Sequence, residues 1–268
     1  MNDTLSPALS KLLLHYYFGP NHPLKIRFFR KLHQWLGSPR FILSYGERSR
    51  LALDMNDFIQ FQIIQNGGYD SEVWEAVKGF MGEREVIWDI GAHVGSFGIR
   101  AADHPGEHRV FLFEPFPPVF AQLLANCHLN PHLTLTPLEY AVTNTCKKQD
   151  LFYLPSGNQG TASLMSREGQ RISVEAVTVD YLVEEKNIPS PDILKIDAED
   201  AEALIIEGMS RTLSKKPPKV IVFEGYTNWE NAPSTRNAVE ALRAEGYRVE
   251  PIPFPEQREV GNFIAVPC

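Results

Sequence analysis

Short apolar runs alternate with stretches of helical periodicity through the last two thirds of this 268-residue chain. Runs at Val86–Asp89, Val110–Glu114, Leu133–Tyr140, Ile193–Asp197, Val220–Glu224, Arg248–Ile252 and Phe263–Val266 are short and bounded by Gly, Pro or polar residues, so they read as strands. After the second run, Phe120, Leu123, Leu124 and Cys127 follow the i, i+3, i+4, i+7 pattern of a helix. Pro117 and Pro118 stand in its first turn, where the missing N–H costs nothing. A helix over 235–245 closes at Gly246. This alternation predicts a mainly parallel sheet covered by helices on both faces.

The rhythm changes at both ends of this pattern. Leu151–Leu154 and Ile172–Val177 predict a β-hairpin that brackets the polar loop Ser156–Gln170, with Gly157 and Gly160. Upstream, Phe41–Leu53 predicts a strand or hairpin, and a helix follows over Asp57–Gln65. After a turn at Gly67–Asp70 comes another helix, carrying Val73, Trp74 and Val77. Residues 6–37 predict one or two helices broken at Gly19-Pro20-Asn21-His22-Pro23. In the second of these, Ile26, Phe29, Leu32 and Leu36 have helical spacing. The division expected is 1–80 as a helical extension and lead-in, and 81–268 as the catalytic domain.

Charge sharpens this division. The first 50 residues hold eight Lys and Arg against two acids, whereas the remainder holds 18 against 31. A basic helix beside an acidic domain has a partner within the protein, so packing on that domain or on a second copy is expected. Weak membrane-surface contact is the other reading. The acidic catalytic part argues against a nucleic-acid substrate held through its phosphates. No apolar run approaches the length that spans a bilayer, and the N-terminus does not read as a secretory signal. Cys127, Cys146 and Cys268 form an odd, widely spaced set with neither disulfide nor zinc spacing. A reducing, cytoplasmic setting is therefore expected.

The candidate chemistry lies where the strands end, because open α/β sheets bind ligands at the carboxyl ends of their strands. Asp89, Glu114, Asp197 and Glu224 occupy four such ends. Unpaired buried carboxylates are costly, so a stability role explains this set poorly. The turn after the first strand reads Asp89-Ile90-Gly91-Ala92-His93-Val94-Gly95-Ser96. It lacks the Gly-x-Gly-x-x-Gly spacing of a dinucleotide site and the Gly-Lys-Ser/Thr of a phosphate loop. A Gly-rich turn with an acid at its head and no cation suits a ligand with a cationic amino-acid end and a ribose, such as S-adenosylmethionine. Glu114 follows Asp89 at about the spacing at which an acid meets a ribose diol. Phe116 and Tyr140-Ala141 are candidates for the two walls of an adenine slot.

Three ordered segments carry a family resemblance. Asp89–Gly95 resembles motif I of the class I methyltransferases, in the Gly-Ala-Asn/His-x-Gly form of the FkbM family. Val110-Phe111-Leu112-Phe113-Glu114-Pro115 resembles that family's acidic second strand. Leu194-Lys195-Ile196-Asp197-Ala198-Glu199-Asp200-Ala201-Glu202 resembles its Lys-Ile-Asp-x-Glu-Gly-x-Glu segment. The chain departs from the pattern at His93, where Asn is common, and at Asp200, where Gly is usual.

The resemblance implies a class I methyltransferase Rossmann-like α/β fold. That fold has a seven-stranded, mostly parallel sheet with helices on both faces, here with an N-terminal helical extension and a β-hairpin insertion. It implies S-adenosylmethionine as cofactor, contacted by Asp89, Gly91, His93, Gly95, Ser96, Glu114, Pro115, Phe116, Tyr140, Ala141, Asp197 and Tyr69. Tyr69 and Glu72 precede the first strand at positions where the family often has Tyr-Glu, so Glu72 is a second candidate to close over the cofactor. The resemblance places Asp197 and Glu199 at the acceptor, with Glu224 and His93 as further candidate bases; the alternative for Asp197 and Glu199 is capping the following helix. A divalent metal on Asp197, Glu199 and Glu224 is a minor alternative, since Glu224-Gly225-Tyr226 lacks the Asp-Asn pair of catechol-type sites. The expected activity is O-methylation of a hydroxyl or carboxyl on a small-molecule acceptor: a sugar, a polyketide, a peptide-derived compound or another small molecule. An N-methyltransferase or a non-catalytic partner protein of the same fold, and a homodimer, are the other readings.

Overall fold

The computed structural model describes residues 4–19, 25–35, 37, 40–69, 71–154, 162–254 and 258–268. The lead-in comprises β1 (Thr4–Leu5), α1 (Pro7–Phe18), α2 (Lys25–Trp35), the hairpin of β2 (Arg40–Tyr45) and β3 (Ser49–Leu53), α3 (Phe58–Asn66) and α4 (Ser71–Lys78). Then come β4 (Val86–Ile90), α5 (Ser96–Asp103), β5 (Arg109–Phe113), α6 (Pro117–His128) and β6 (Thr134–Leu138). A small sheet follows, with β7 (Ala141–Val142), β8 (Lys147–Tyr153) and β9 (Gln170–Val177). The chain returns through α7 (Val179–Glu184) to β10 (Ile193–Ile196), then α8 (Glu202–Glu207), α9 (Ser210–Lys215) and β11 (Val220–Tyr226). It ends with α10 (Pro233–Ala244), β12 (Tyr247–Pro251) and β13 (Val260–Pro267).

The seven strands of the main sheet run in the order β12-β13-β11-β10-β4-β5-β6, with β13 antiparallel to its neighbours. Period-two alternation feeds two cores. Val86, Trp88 and Ile90 join Leu194, Ile196, Ile221 and Phe223 on one face, under α7 to α10. Ile87 joins Val110, Leu112, Ile193 and Val222 on the other, under α4 to α6. Both faces are buried, so these strands read as apolar runs without alternation. The chain order reverses between β10 and β4, which fixes the place where a ligand cleft opens.

The lead-in packs on the second face. Its core joins Phe29, Phe41, Leu51 and Ile63 to Val94 and Ile99 of the catalytic part. Phe29 of α2 is buried, stacked on Phe41 of β2 and close to Tyr17 of α1, so the helix packs within the lead-in. Trp35 at its end is exposed. Residues 20–24, Leu36 and Asp70 of the expected break, stripe and turn lie outside the described residues, as do Gly157 and Gly160 of the hairpin loop. No helix among the described residues is long and apolar enough to cross a membrane.

Three expectations change. The third strand ends at Leu138, not Tyr140, and Ala141–Val142 pairs in parallel with β9 in the separate three-stranded sheet. The strand at β11 runs two residues past Glu224, because its partner β13 continues beside it to Val260. Thr4–Leu5 adds a short parallel strand to the lead-in hairpin.

Candidate active site

Backbone geometry brings β4 and β10 together first. Gly91 has φ +75, and its N–H donates to the Phe113 carbonyl. A Cβ at this position would lie 1.7 Å from the Asp197 carbonyl oxygen, so only glycine lets the two strand ends meet. His93 also adopts positive φ, +50, a conformation that Asn and His reach more readily than most residues. That accounts for Asn being common at this place.

The strand register then sets the charges. Lys195 lies opposite Asp89 in the parallel β10–β4 pair, so their side chains share one face. Asp197 follows two residues on along the same face. The Lys195 Nζ is 3.4 Å from Asp89 Oδ1 and 3.1 Å from Asp197 Oδ2, with the Lys195 side chain only 8% exposed. The other oxygen of Asp89, Oδ2, accepts from the Gly98 N–H at 2.9 Å. Burial raises the Asp89 pKa, and Lys195 opposes the rise.

Glu114 stands just past β5. Its Oε2 accepts from the His93 N–H at 3.0 Å and its Oε1 from the Phe116 N–H at 2.9 Å. Two backbone donors thus fix the carboxylate while each oxygen keeps a free lone pair. Burial lifts its pKa to about 7 despite these bonds, helped by the charges of Asp89 and Asp197.

The loop after β10 carries the second acidic group. Glu199 and Asp200 are both left-handed, with φ +51 and +75. Burial, then Asp197, Glu202 and Asp200, push Glu199 up to about 7. Glu202 is likewise raised to about 7, mainly by burial, and its Oε1 accepts from the Ala198 N–H. Neither Asp197 nor Glu199 caps α8, whose N-cap is Ala201 without a side-chain bond. The Glu199 carbonyl accepts from Ser163 Oγ at 2.9 Å, which ties this loop to the hairpin insertion.

The left-handed pair also explains why glycine is usual at position 200. Asp200 is exposed, and its carboxylate makes only surface contacts there, accepting a long bond from Ser234 Oγ and a bond from the exposed Tyr226. Relief of the left-handed strain outweighs the extra chain entropy of glycine, so Asp200→Gly is expected to raise stability by about 0.5–1 kcal/mol. Chemical denaturation checks this.

One cleft gathers these groups. Asp89, Gly91, His93, Ser96, Glu114, Pro115, Tyr140, Ala141, Asp197, Glu199, Glu224 and Tyr69 all line it. Three expected residues are placed elsewhere. The Phe116 ring is buried against Tyr153 and Val119 in the core of the small sheet, and only its N–H serves the site. Gly95 faces Leu123 and Ile99, where its missing Cβ lets α5 and α6 approach. Glu72 pairs with Arg258 at 3.6 Å, in a separate hollow. Lys195 was not singled out from the sequence, although period two places it on the face of Asp197. It is the only Lys or Arg among the described residues of the cleft wall. Phe97, Val142, Leu151 and Leu164 supply apolar wall between the acids.

This lining fits S-adenosylmethionine. Five carboxylates against one lysine form a wall that cationic centres neutralise. Glu114, held from behind by two N–H groups, presents its remaining lone pairs for a ribose diol. Tyr140, Ala141, Val142 and Leu151 offer the apolar surface that an adenine ring needs.

Residues 89–249 match the family model described as the methyltransferase FkbM domain. A curated relative, hexuronic acid methyltransferase AglP of Haloferax volcanii, is 30% identical over 131 residues. That match covers 49% of this chain and 52% of the relative, so the chain spans about half the length of the protein it matches. Among solved structures, methyltransferase FkbM from Methylobacillus flagellatus KT is 12% identical with TM-score 0.48, covering 97% of this chain and 76% of that one. Precorrin-6y C5,15-methyltransferase from Geobacter metallireducens GS-15 is 20% identical with TM-score 0.46, covering 73% and 86%. With more than half of its length matched by the family model, the chain belongs to the FkbM-domain family of S-adenosylmethionine-dependent methyltransferases.

Proposed function

We propose that this protein transfers a methyl group from S-adenosylmethionine to a hydroxyl of a sugar. The observation that carries the reading is the convergence of Asp89, Glu114, Asp197 and Glu199 on one cleft at the point where strand order reverses. Bound S-adenosylmethionine supplies an electrophilic methyl group on a sulfonium centre. Glu114 takes the ribose hydroxyls, and Asp89 with Gly91 and His93 holds the amino-acid end. Asp197, Glu199 and Glu224, on the β10 and β11 side, take the acceptor. The relative from Haloferax volcanii is named for a hexuronic acid, which supports a sugar over a polyketide or peptide-derived acceptor. Carboxylate oxygens accept hydrogen bonds from sugar hydroxyls, and they orient the attacking oxygen in line with the methyl group. Such orientation supplies much of the rate in a bimolecular displacement.

The test combines calorimetry with single-turnover kinetics on a panel of neutral hexosides and hexuronosides. Glu114→Ala is expected to weaken cofactor binding by about 1.5 kcal/mol or more, since hydrogen bonds to a charged group are lost. Glu199→Gln and Asp197→Asn are expected to cut turnover about 10²-fold while cofactor affinity holds. Wild-type rates in both variants would leave proximity as the whole of the catalysis. A wild-type protein that binds the cofactor but methylates no panel member would favour the non-catalytic reading.

A further inference from the structure

The β11 strand carries the ligand edge of the sheet beyond the acceptor acids. Glu224 lines the cleft, and the strand continues through Gly225 to Tyr226. Two residues of strand advance about 6.6 Å, close to the span of one sugar ring. Tyr226 is exposed, yet both its backbone and its hydroxyl are held. Its N–H donates to Thr235 Oγ1 of α10 at 2.9 Å, and its hydroxyl donates to the Asp200 carboxylate. Ser234 Oγ donates to the same carboxylate at 3.3 Å. Asp200 follows Glu199, which lines the cleft, so the phenol stands at the cleft mouth. The charge of Asp200, then burial, raise the Tyr226 pKa, which keeps the hydroxyl a donor.

This arrangement carries strain. Asp200 has φ +75 where glycine would be relaxed, and it is exposed, so its side chain adds little to the core. Strain at such a position persists where the side chain serves a function. Here the carboxylate pins the Tyr226 ring beside the cleft.

Past Tyr226 lies a second hollow of about 550 Å³, in the size range of small-ligand sites. Tyr226, Thr227, Asn228 and Asn231 line it, and Arg258 and Glu259 add one charge of each sign. The two amides bond each other, with Asn231 Nδ2 donating to Asn228 Oδ1 at 2.8 Å. A primary amide has two donors and one acceptor oxygen, so Asn228 keeps Nδ2 and Asn231 keeps Oδ1 for a ligand. Thr227 Oγ1 donates to the Arg258 carbonyl at 2.7 Å and keeps its acceptor lone pairs. An aromatic ring beside mixed donors and acceptors matches a sugar, whose C–H face packs on the ring while its hydroxyls meet the amides.

We propose that the hollow past β11 is a second sugar subsite, so that the acceptor is a chain of at least two sugars, with the methylated ring in the cleft and its neighbour on Tyr226. This rests on the sugar reading above. Tyr226, Asn228 and Asn231 select the acceptor without touching the reacting atoms, and Asp200 positions Tyr226. The second ring adds the same contacts before and during methyl transfer. Its effect therefore falls on KM and leaves kcat alone.

The full chain is assayed with S-adenosylmethionine on each sugar of the panel twice, as its methyl glycoside and as the terminal ring of disaccharides. Wild-type protein is expected to show a KM about tenfold lower for a disaccharide, at equal kcat. Tyr226→Ala and Asn231→Ala, both at exposed positions, are expected to erase that difference while methyl-glycoside kinetics hold. Asp200→Gly, the more stable protein, is expected to lose part of the preference, which a purely structural role would not move. Equal KM for both acceptor lengths in the wild type would overturn the subsite. So would a Tyr226→Ala protein whose kcat falls alike on both, since Tyr226 would then serve the reacting ring. Wild-type failure on every panel member would remove the methylation reading instead. Saturation-transfer NMR of the same disaccharides on the full chain with S-adenosylhomocysteine then decides the subsite. Contacts to the second ring that vanish in Tyr226→Ala uphold it, and their absence in the wild type overturns it.

Discussion

Gly91→Ala is expected to lower unfolding stability by at least about 3 kcal/mol, the sum of a left-handed penalty and an overpacking penalty. The first part follows from φ +75, which costs an L-residue but not glycine. The second follows from the Asp197 carbonyl, which would stand 1.7 Å from the new Cβ. A flexible side chain would swing aside, but a carbonyl at the end of a buried strand cannot. Relief requires β4 and β10 to part where their ladder passes Ile90 to the Asp197 N–H. Asp197 would move with its backbone, so cofactor and acceptor sites suffer together. Urea denaturation of the apo protein, followed by calorimetry with S-adenosylhomocysteine, reads both effects. A variant with wild-type midpoint and affinity would show that the turn has room the structure does not display.

The sequence exposes this turn because its constraints are local. A strand, an acid, a glycine forced to positive φ and a helix start succeed one another within eleven residues, and each leaves its own mark. The β4, β5, β10 and β11 strands were legible for a related reason, since burial on both faces demands unbroken apolar runs. What the sequence concealed depends on long-range packing. Ala141–Val142 is a strand of a second sheet only because β9 passes beside it. Phe116 follows Glu114 directly, yet the hairpin insertion draws its ring into another core. Gly95 has the spacing of a cofactor contact but owes its place to Leu123, 28 positions later in the chain.

The site's electrostatics set a pH dependence that the cofactor should invert. Glu114, Glu199 and Glu202 all have pKa values raised to about 7 from an ordinary 4.5. A carboxyl whose folded pKa is raised favours the folded state below its unfolded pKa, and that contribution is lost as pH rises through the folded value. The apo cleft therefore loses stability progressively from pH 4.5 to about 7 and carries the full cost of its charges above that. A ligand with cationic centres restores what ionisation takes away.

Lys195→Met is expected to cost about 3–5 kcal/mol at neutral pH, the scale for removing one partner of a buried ion pair. The side chain fits by volume, so the loss is electrostatic and not a cavity effect. Asp89 and Asp197 would then face each other's charge without the ammonium that lies 3.4 Å and 3.1 Å from them. Asp89 is the worse placed, being fully buried with only the Gly98 N–H left as donor. Burial already raises its pKa, and Lys195 is the main influence holding it down. Without Lys195 the folded value rises further, so the sign is fixed: the variant is least impaired at low pH, where Asp89 is protonated, and the deficit grows as pH rises through the new folded pKa. Binding of S-adenosylhomocysteine is expected to recover part of the loss, because its ammonium brings a positive charge back into the cleft. Thermal melts from acidic to alkaline pH, with and without S-adenosylhomocysteine, measure all three effects. A deficit that does not vary with pH would show that Lys195 is held by its packing against Phe97, 5.9 Å from Nζ to the ring centre, and that its charge is incidental.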